Sequence, residues 1–356
     1  MTNKVIATIV GARPQFIKSA PVSRALAGHF REILIHTGQH YDHGMSDVFF
    51  EEMNIRKPDF NLGVGGGPQG EQTGRMLIEI EKVFAAVKPN CALVYGDTNS
   101  TLAGALSAAK AGIPLAHVEA GLRSYNRAMP EEINRVLTDH VSTFLFCPTD
   151  VSVANLEKEG ISRGVHQVGD VMYDALLHNL ELARGRSQIL PRLGLKPGGY
   201  ALATVHRAAN TDDRNRMHSI LEGFANLKTR VVFPVHPRTR KMMQEWGMSV
   251  HSNVLLIEPV GYFDMLILQE NSNCILTDSG GIQKEAYLLG VRCITLREET
   301  EWVETVAAGW NRLVGVDTQS IVETHAAWQP QTERPPLYGN GHSAEKICRI
   351  LISSLE

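Results

Sequence analysis

Ionisable and amide side chains stand directly behind short apolar runs throughout this chain. Arg13 follows "KVIATIV", Gln39 and His40 follow "ILIHTG", Asp97 follows "ALVYG" and Glu119 follows "PLAHV". Further on, His206 follows "ALATV", His236 follows "VVFPV", and Asp278 and Ser279 follow "NCILT". Turns behind strands usually hold Gly, Ser or Asn. Carboxylates there suit general acid/base chemistry, and cations there suit an anionic substrate.

The segment "TDSGGIQKEA" reads as an anion site. Gly280 and Gly281 open a helix, where backbone N–H groups can approach a phosphate and the helix dipole favours negative charge. Capping by Asp278 or Ser279 is the simpler alternative, but capping does not call for two glycines. Glu285 lies one turn inside, either accepting from a ribose diol or merely facing solvent. In "VGARPQFIKSAP" the Gly-x-Gly-x-x-Gly fingerprint of dinucleotide sites is missing, so no nicotinamide or flavin cofactor is expected. Arg13 stands at the mouth of the helix there, Pro14 suits its first turn, and Lys18 follows about one turn on. A guanidinium can grip a diphosphate bidentately while a lysine acts as a point charge. Side-chain cations on one domain would thus face the glycine-rich nest on another.

Asp97 and Glu119 are the candidate acid/base pair, since adjacent parallel strands would bring their ends together. Glu131 and Glu132 in "MPEEINR" sit in the first turn of a helix, where acids are favourable to the dipole alone. His206 is open to three roles: general acid/base, diphosphate ligand or structural histidine. The cluster "HYDH" at 40–43 lacks carboxylates at ligand spacing, so no metal site is expected.

These residues need strands and helices to carry them. Short apolar runs alternate with longer amphipathic ones, the pattern of parallel sheets with crossover helices. The strand candidates "KVIATIV", "REILIHT", "CALVYG", "PLAHVE" and "TFLFCPT" form a first set. After "RLGLKPGG" a second set follows: "YALATVH", "RVVFPVH", "NVLLIEP", "NCILTDS", "RCITLRE" and "NRLVGV". Two doubly wound α/β domains result, with boundaries expected at 1–167 plus a C-terminal helix 342–356, and at 168–341. In that last helix Ile347, Ile350, Leu351 and Leu355 share a face.

The bulk numbers fit. A chain of 356 residues suits two domains, and a formal charge of −3 gives no pull toward nucleic acid or anionic membrane. No apolar run reaches membrane-span length. The five cysteines show no C-x-x-C spacing and read as reduced core thiols of a cytoplasmic protein.

In order and across nearly the whole chain, "GARPQFIK", "GDT", "HVEAGLRS", "PEEINR", "HR" at 206–207 and "DSGGIQKEA" resemble the non-hydrolysing UDP-N-acetylglucosamine 2-epimerases. The resemblance implies two Rossmann-like domains facing across a cleft in the GT-B architecture. It also implies UDP in that cleft, a homodimer, and a C-terminal helix that returns to the first domain. The implied reaction inverts C2 of a UDP-sugar by eliminating UDP to a 2-acetamidoglucal and adding it back, and serves bacterial surface polysaccharide precursors. Carried over, Asp97, Glu119 and Glu131 become catalytic carboxylates, joined by Lys18 and His206. Arg13, His236, Ser279, Gly280, Gly281 and Glu285 hold UDP. Glu132 keeps its dipole role alone.

Two segments, "EETEWVET" and "HRAANTDD", depart from the common pattern. "EETEWVET" at 298–305, "HRAANTDD" and "YNRAMPEEINR" resemble the branch acting on UDP-2,3-diacetamido-2,3-dideoxy-glucuronate, although Ala209 stands where that branch often has Glu. Such a substrate adds a carboxylate, for which Arg123, Arg127 and Arg297 are candidate cations. A second, activator site in some members uses a Gln-His pair, present here as Gln39-His40. The Arg-Gln pair that completes it has no counterpart, so weak or absent activation by substrate is expected. A GT-B glycosyltransferase using a UDP-sugar is the alternative of another class.

Overall fold

The computed structural model describes residues 4–39 and 56–355. Contacts divide them into two compact units, one of residues 1–177 with 337–356 and the other of residues 178–336.

In the first unit the strands are β1 (Val5–Val10), β2 (Arg31–His36), β3 (Phe60–Asn61), β4 (Cys91–Tyr95), β5 (Leu115–Val118), β6 (Phe144–Cys147) and β7 (Val165–Gln167). They form one sheet in the order β3-β2-β1-β4-β5-β6-β7, and its paired neighbours all run parallel. Helices α1 (Arg13–Leu26), α2 (Gln69–Val87), α3 (Asn99–Lys110), α4 (Pro130–Val141), α5 (Asp150–Lys158) and α6 (Val171–Arg186) follow or connect them. The central strands are covered on both faces, which is why "VIATIV" and "CALVY" are apolar almost throughout and buried. Helix α3 packs close because it is small-faced: a Cβ on Gly104 would lie 3.0 Å from Val94 and 3.3 Å from Ile9.

The second unit repeats the plan with β8 (Tyr200–Thr204), β9 (Arg230–Pro234), β10 (Val254–Ile257), β11 (Cys274–Thr277), β12 (Cys293–Thr295) and β13 (Asn311–Leu313). Their order is β10-β9-β8-β11-β12-β13, again parallel. Its helices are α7 (Ile189–Leu193), α8 (Ala208–Thr211), α9 (Arg214–Ala225), α10 (Pro237–Glu245), α11 (Tyr262–Glu270), α12 (Gly280–Leu289), α13 (Val303–Ala307) and α14 (Thr318–Ala327). Both sheets are doubly wound. Strand order reverses between β1 and β4 in one and between β8 and β11 in the other.

The last helix, α15 (Ser343–Leu355), belongs to the first unit and packs on α1. Its buried face is Ala344, Ile347, Cys348 and Leu351, and the Cys348 thiol donates to the Ala25 carbonyl at 3.1 Å. Ile350 and Leu355, expected on that face, are only partly buried. The units divide inside α6 rather than at 168, because that helix runs from one into the other. Every strand expected from apolar runs is present. The two additional ones, β3 and β7, are two- and three-residue edge strands with exposed or half-buried side chains and no apolar run to announce them.

Candidate active site

In open α/β sheets, ligands bind beyond the carboxyl ends of strands, beside the point where strand order reverses. In the first unit that point lies between β1 and β4. Arg13 opens α1 after β1, and the loops after β4 and β5 carry Asp97 and Glu119.

The turn after β1 needs little glycine because a side chain secures it. Gln15 Oε1 accepts from the N–H groups of Gly11 (2.7 Å) and Ala12 (3.1 Å), while its Nε2 donates to the Tyr95 carbonyl (2.7 Å) and Thr101 Oγ1 (2.9 Å). Gly11 is pinched: a Cβ there would come within 1.9 Å of Ser100 Oγ and 2.3 Å of Thr37 Oγ1. Arg13 and Pro14 are exposed at the start of α1, and Lys18 reaches Glu119 from the same helix in an ion pair. Burial works against the charged Lys18, but Glu119, with Asp97 and Asp170 nearby, raises its pKa above the ordinary lysine value.

Glu119 itself has a φ of 71°. Left-handed backbone at a non-glycine residue is uncommon and costs about 1–2 kcal/mol. Strain of this kind persists where surrounding structure over-determines it, often at functional sites. Here the Glu119 and Ala120 N–H groups both donate to the Phe146 carbonyl at 3.1 Å. Asp97 is paired with Arg135 at 2.5 Å, and its carbonyl accepts from Asn134 Nδ2 at 2.9 Å. Each of the two carboxylates therefore has a cation against it.

Arg135 and Glu132 carry more than the sequence suggested. Glu132 was expected to do no more than favour the helix dipole; instead it is buried and holds the loop before α4. It accepts from the Ser124 and Tyr125 N–H groups at 2.8 Å and from Arg135 at 3.0 Å. Burial would raise its pKa, but these donors hold it below the usual carboxylate range. Glu131 is exposed in the first turn of the same helix. Arg127 is exposed in the loop before α4.

Arg123 requires a correction. Its guanidinium is 1% exposed and bonded to Asp139 at 2.7 Å and bidentately to Glu159 at 2.7 and 2.8 Å, so it has no face to offer a sugar carboxylate. Its part is structural. Gln39 is also engaged: its Oε1 accepts from Ser100 N–H at 3.0 Å and Ser100 Oγ at 2.6 Å. His40 lies outside the described residues.

In the second unit the strand order reverses between β8 and β11, with His206 after β8 and Ser279 after β11. Asp278, fully buried, accepts from the backbone N–H groups of His206 (3.1 Å) and Arg207 (3.0 Å) and from Asn210 Nδ2 (3.0 Å). It thereby fixes the position of His206. His236 after β9 caps α10, its Nδ1 accepting from Arg238 N–H at 3.2 Å, and its ring centroid lies 6.3 Å from that of His206.

Ser279 caps α12, with Oγ accepting from Ile282 N–H. Gly281 is open, with nothing nearer a Cβ than Ser279 Oγ at 3.9 Å. Gly280 is crowded, since a Cβ would lie 1.7 Å from Glu301 Oε1, and its carbonyl accepts from Trp302 Nε1 at 2.8 Å. Arg297 is 12% exposed and paired with Glu301 at 2.9 Å. Glu285 accepts from Gln269 Nε2 at 2.7 Å and Tyr262 OH at 3.4 Å, and burial pushes its pKa up. The positioning groups Gln15, Arg135 and Gln269 lack a sequence signal of their own, whereas Asp278 stands out as a strand-end acid but holds the His206 loop rather than capping the helix.

Comparison with known proteins bears on the fold and the family. The family model "UDP-N-acetylglucosamine 2-epimerase" matches residues 24–352. A Methanococcus maripaludis protein named UDP-N-acetylglucosamine 2-epimerase homolog is 52% identical over 352 residues, covering 97% of this chain and 99% of that one. The Pseudomonas aeruginosa UDP-2,3-diacetamido-2,3-dideoxy-D-glucuronate 2-epimerase is 48% identical over 357 residues, covering 97% and 99%. The crystal structure of Methanocaldococcus jannaschii UDP-GlcNAc 2-epimerase in complex with UDP-GlcNAc and UDP superimposes with a TM-score of 0.78 at 44% identity, covering 99% of this chain and 100% of that one. With that identity along almost the whole length, this chain belongs to the UDP-N-acetylglucosamine 2-epimerase family, whose members are isomerases.

Proposed function

We propose that the protein inverts C2 of a UDP-N-acetylhexosamine, interconverting UDP-GlcNAc and UDP-ManNAc without hydrolysis. The observation that carries this reading is the convergence of Asp97 and Glu119 at adjacent strand ends, each matched with a cation. The relative solved with UDP-GlcNAc and UDP supports the substrate class.

A C2–H bond is barely acidic until the C1–O bond breaks. As the electron pair of that bond leaves with UDP, positive character at C1 acidifies the C2 proton, and a carboxylate removes it to give a 2-acetamidoglucal. Reprotonation on the opposite face and return of UDP to C1 complete the inversion. Asp97, Glu119 and Glu131 are assigned the proton transfers and the ring's charge. Lys18 and His206 assist, and Arg13, His236, Ser279, Gly280, Gly281 and Glu285 hold the UDP. A well-placed donor to developing charge contributes about 2.7–4 kcal/mol to such a step.

Incubation with UDP-GlcNAc in D₂O tests this. Deuterium at C2 and a UDP-ManNAc product are expected. Free N-acetylmannosamine would mean hydrolysis, and no exchange with any UDP-HexNAc would favour a glycosyltransferase.

The 48% identity to the diacetamido-glucuronate enzyme supports a second substrate with the same chemistry. Of the candidate cations, Arg127 is the exposed one and Arg297 is engaged with Glu301. Comparing turnover of the two UDP-sugars, with and without Arg127→Ala, decides between them. A homodimer in the cytoplasm completes the reading; five buried, unpaired cysteines support the reducing compartment. Sedimentation measures the assembly.

A further inference from the structure

The segment between β12 and α13 is fastened to the first turns of α12 on either side of Glu301. Thr300 Oγ1 donates to Gln283 Oε1 at 2.6 Å, and Trp302 Nε1 donates to the Gly280 carbonyl at 2.8 Å. The Lys284 ammonium stands over the Trp302 ring, 4.5 Å from its centroid. The backbone of Glu301 is thus fixed between two anchors. Its carboxylate falls against Gly280, where a Cβ would come within 1.7 Å of Oε1.

Glu301 therefore accounts for one of the two glycines that open α12. Gly280 bears no side chain because Glu301 lies where one would be. Gly281 has no such neighbour: no described residue crowds a Cβ there, and the space beside it is left to a ligand.

Glu301 is also a bridge. Its Oε2 accepts from Arg297 Nη1 at 2.9 Å, and its Oε1 lies 3.5 Å from Arg207 Nη2. Glu301 and Arg207 are each 43% exposed, and exposed ion pairs hold loosely. Two guanidiniums, which are always charged, and the positive end of α12 converge on a single carboxylate. One negative charge leaves that cluster positive. An ion with two or more would satisfy it better, and a diphosphate has them, with oxygens enough for both planar forks.

We propose that Glu301 is a resident counter-ion that the diphosphate of the nucleotide displaces, so that Arg207 and Arg297 pass from the protein's carboxylate to the ligand's phosphates. This exchange rests on the assignment of UDP to α12 above and adds two cations to it. Before the ligand arrives, Glu301 keeps two guanidiniums from repelling each other across the mouth of the helix. A ligand with one negative charge or none gains little by entering, because Glu301 already supplies as much. Selectivity for a diphosphate follows.

Glu301→Gln keeps the shape of the side chain and removes its charge. UDP, titrated calorimetrically into the full chain, should bind the variant about fivefold more tightly than the parent, the worth of one unit charge at contact distance in water. Uridine, followed by ligand-observed NMR, should bind both alike. A residue that merely held the arginines in place would give the opposite sign, weaker UDP binding once it is lost. Arg207→Gln and Arg297→Gln should each weaken UDP by about tenfold or more, as expected when a charged hydrogen-bond donor is removed, with uridine again unaffected. Equal or weaker UDP binding by Glu301→Gln overturns the exchange, as does an affinity within about twofold of the parent in either arginine variant. A change shared by uridine would place the effect outside the diphosphate and overturn it equally. Should the parent not bind UDP, the nucleotide assignment fails and the exchange with it; should the parent bind UDP and Glu301→Gln gain nothing, the exchange alone fails.

Discussion

Gly96 makes room for Glu119. A Cβ on Gly96 would lie 3.3 Å from Glu119 Oε2 and 3.5 Å from Lys18 Nζ, and its φ is 63°. The residue before one candidate carboxylate is thus the floor under the other. Gly96→Ala meets both obstacles at once: left-handed backbone and contact with an ion pair. Destabilisation of about 1–2 kcal/mol is expected from the backbone alone, with turnover falling more than about tenfold. Thermal unfolding and kcat, measured on the same preparation, check both.

Glu119 carries left-handed backbone without being glycine. Glu119→Gly removes that strain together with the carboxylate. It also strands the Lys18 ammonium, so the variant should be less stable than the parent despite the relieved strain, while losing turnover by about 10²–10⁴-fold, the usual worth of a general acid/base. A Tm equal to or above the parent's would show that the strain outweighs the Lys18 pair.

Asp97→Asn and Glu119→Gln separate chemistry from anchoring. Both keep the shape of the side chain and lose its charge, so turnover should fall about 10²–10⁴-fold. UDP affinity, read by calorimetry, should barely change. Loss of nucleotide binding in either variant would contradict the division of labour proposed here.

For Glu285 the sign of a pH effect follows from burial, which raises its pKa in the folded protein above the unfolded value. Its contribution to stability is therefore present at low pH and lost as pH rises through the folded value. Glu285→Gln, which still accepts from Gln269, should be the more stable protein at pH 8, with the difference closing on acidification. UDP affinity should fall about tenfold, as expected when a charged hydrogen-bond acceptor is lost. Melting curves across pH test the first expectation and UDP titration the second.

Gln39 bears on regulation. Its side-chain oxygen is occupied by Ser100, and the sequence lacks the arginine-glutamine partner of the activator pattern. The rate curve with substrate should be hyperbolic and indifferent to added UDP-GlcNAc when another UDP-sugar is assayed. Conversion of a sigmoidal curve to a hyperbolic one by UDP-GlcNAc would contradict this.

How much of this was legible in the sequence depends on which signal each residue leaves. Strands covered on both faces announce themselves as apolar runs, so eleven of the thirteen described were foreseeable, and with them the ionisable residues at their ends. β3 and β7 lie at a sheet edge and carry no such run. Arg123 looked available because charge and proximity to Glu119 are visible in a sequence. Its two carboxylate partners, 16 and 36 residues further along, are not. The loops that Gln15 and Asp278 hold are invisible for the same reason: their partners lie as far as 86 and 72 residues away. Glu132 was misjudged because a first-turn acid looks alike whether it serves the dipole or ties down a loop.

The helix α15 docks beside α1, at the opposite end of the chain. The second unit is in effect an insertion, entered and left through the first. On the ribosome, residues 178–336 emerge with all their own strands and can complete themselves early. The earlier-made lobe keeps its α1 surface bare until α15 follows to cover it. Order of synthesis and order of completion are reversed.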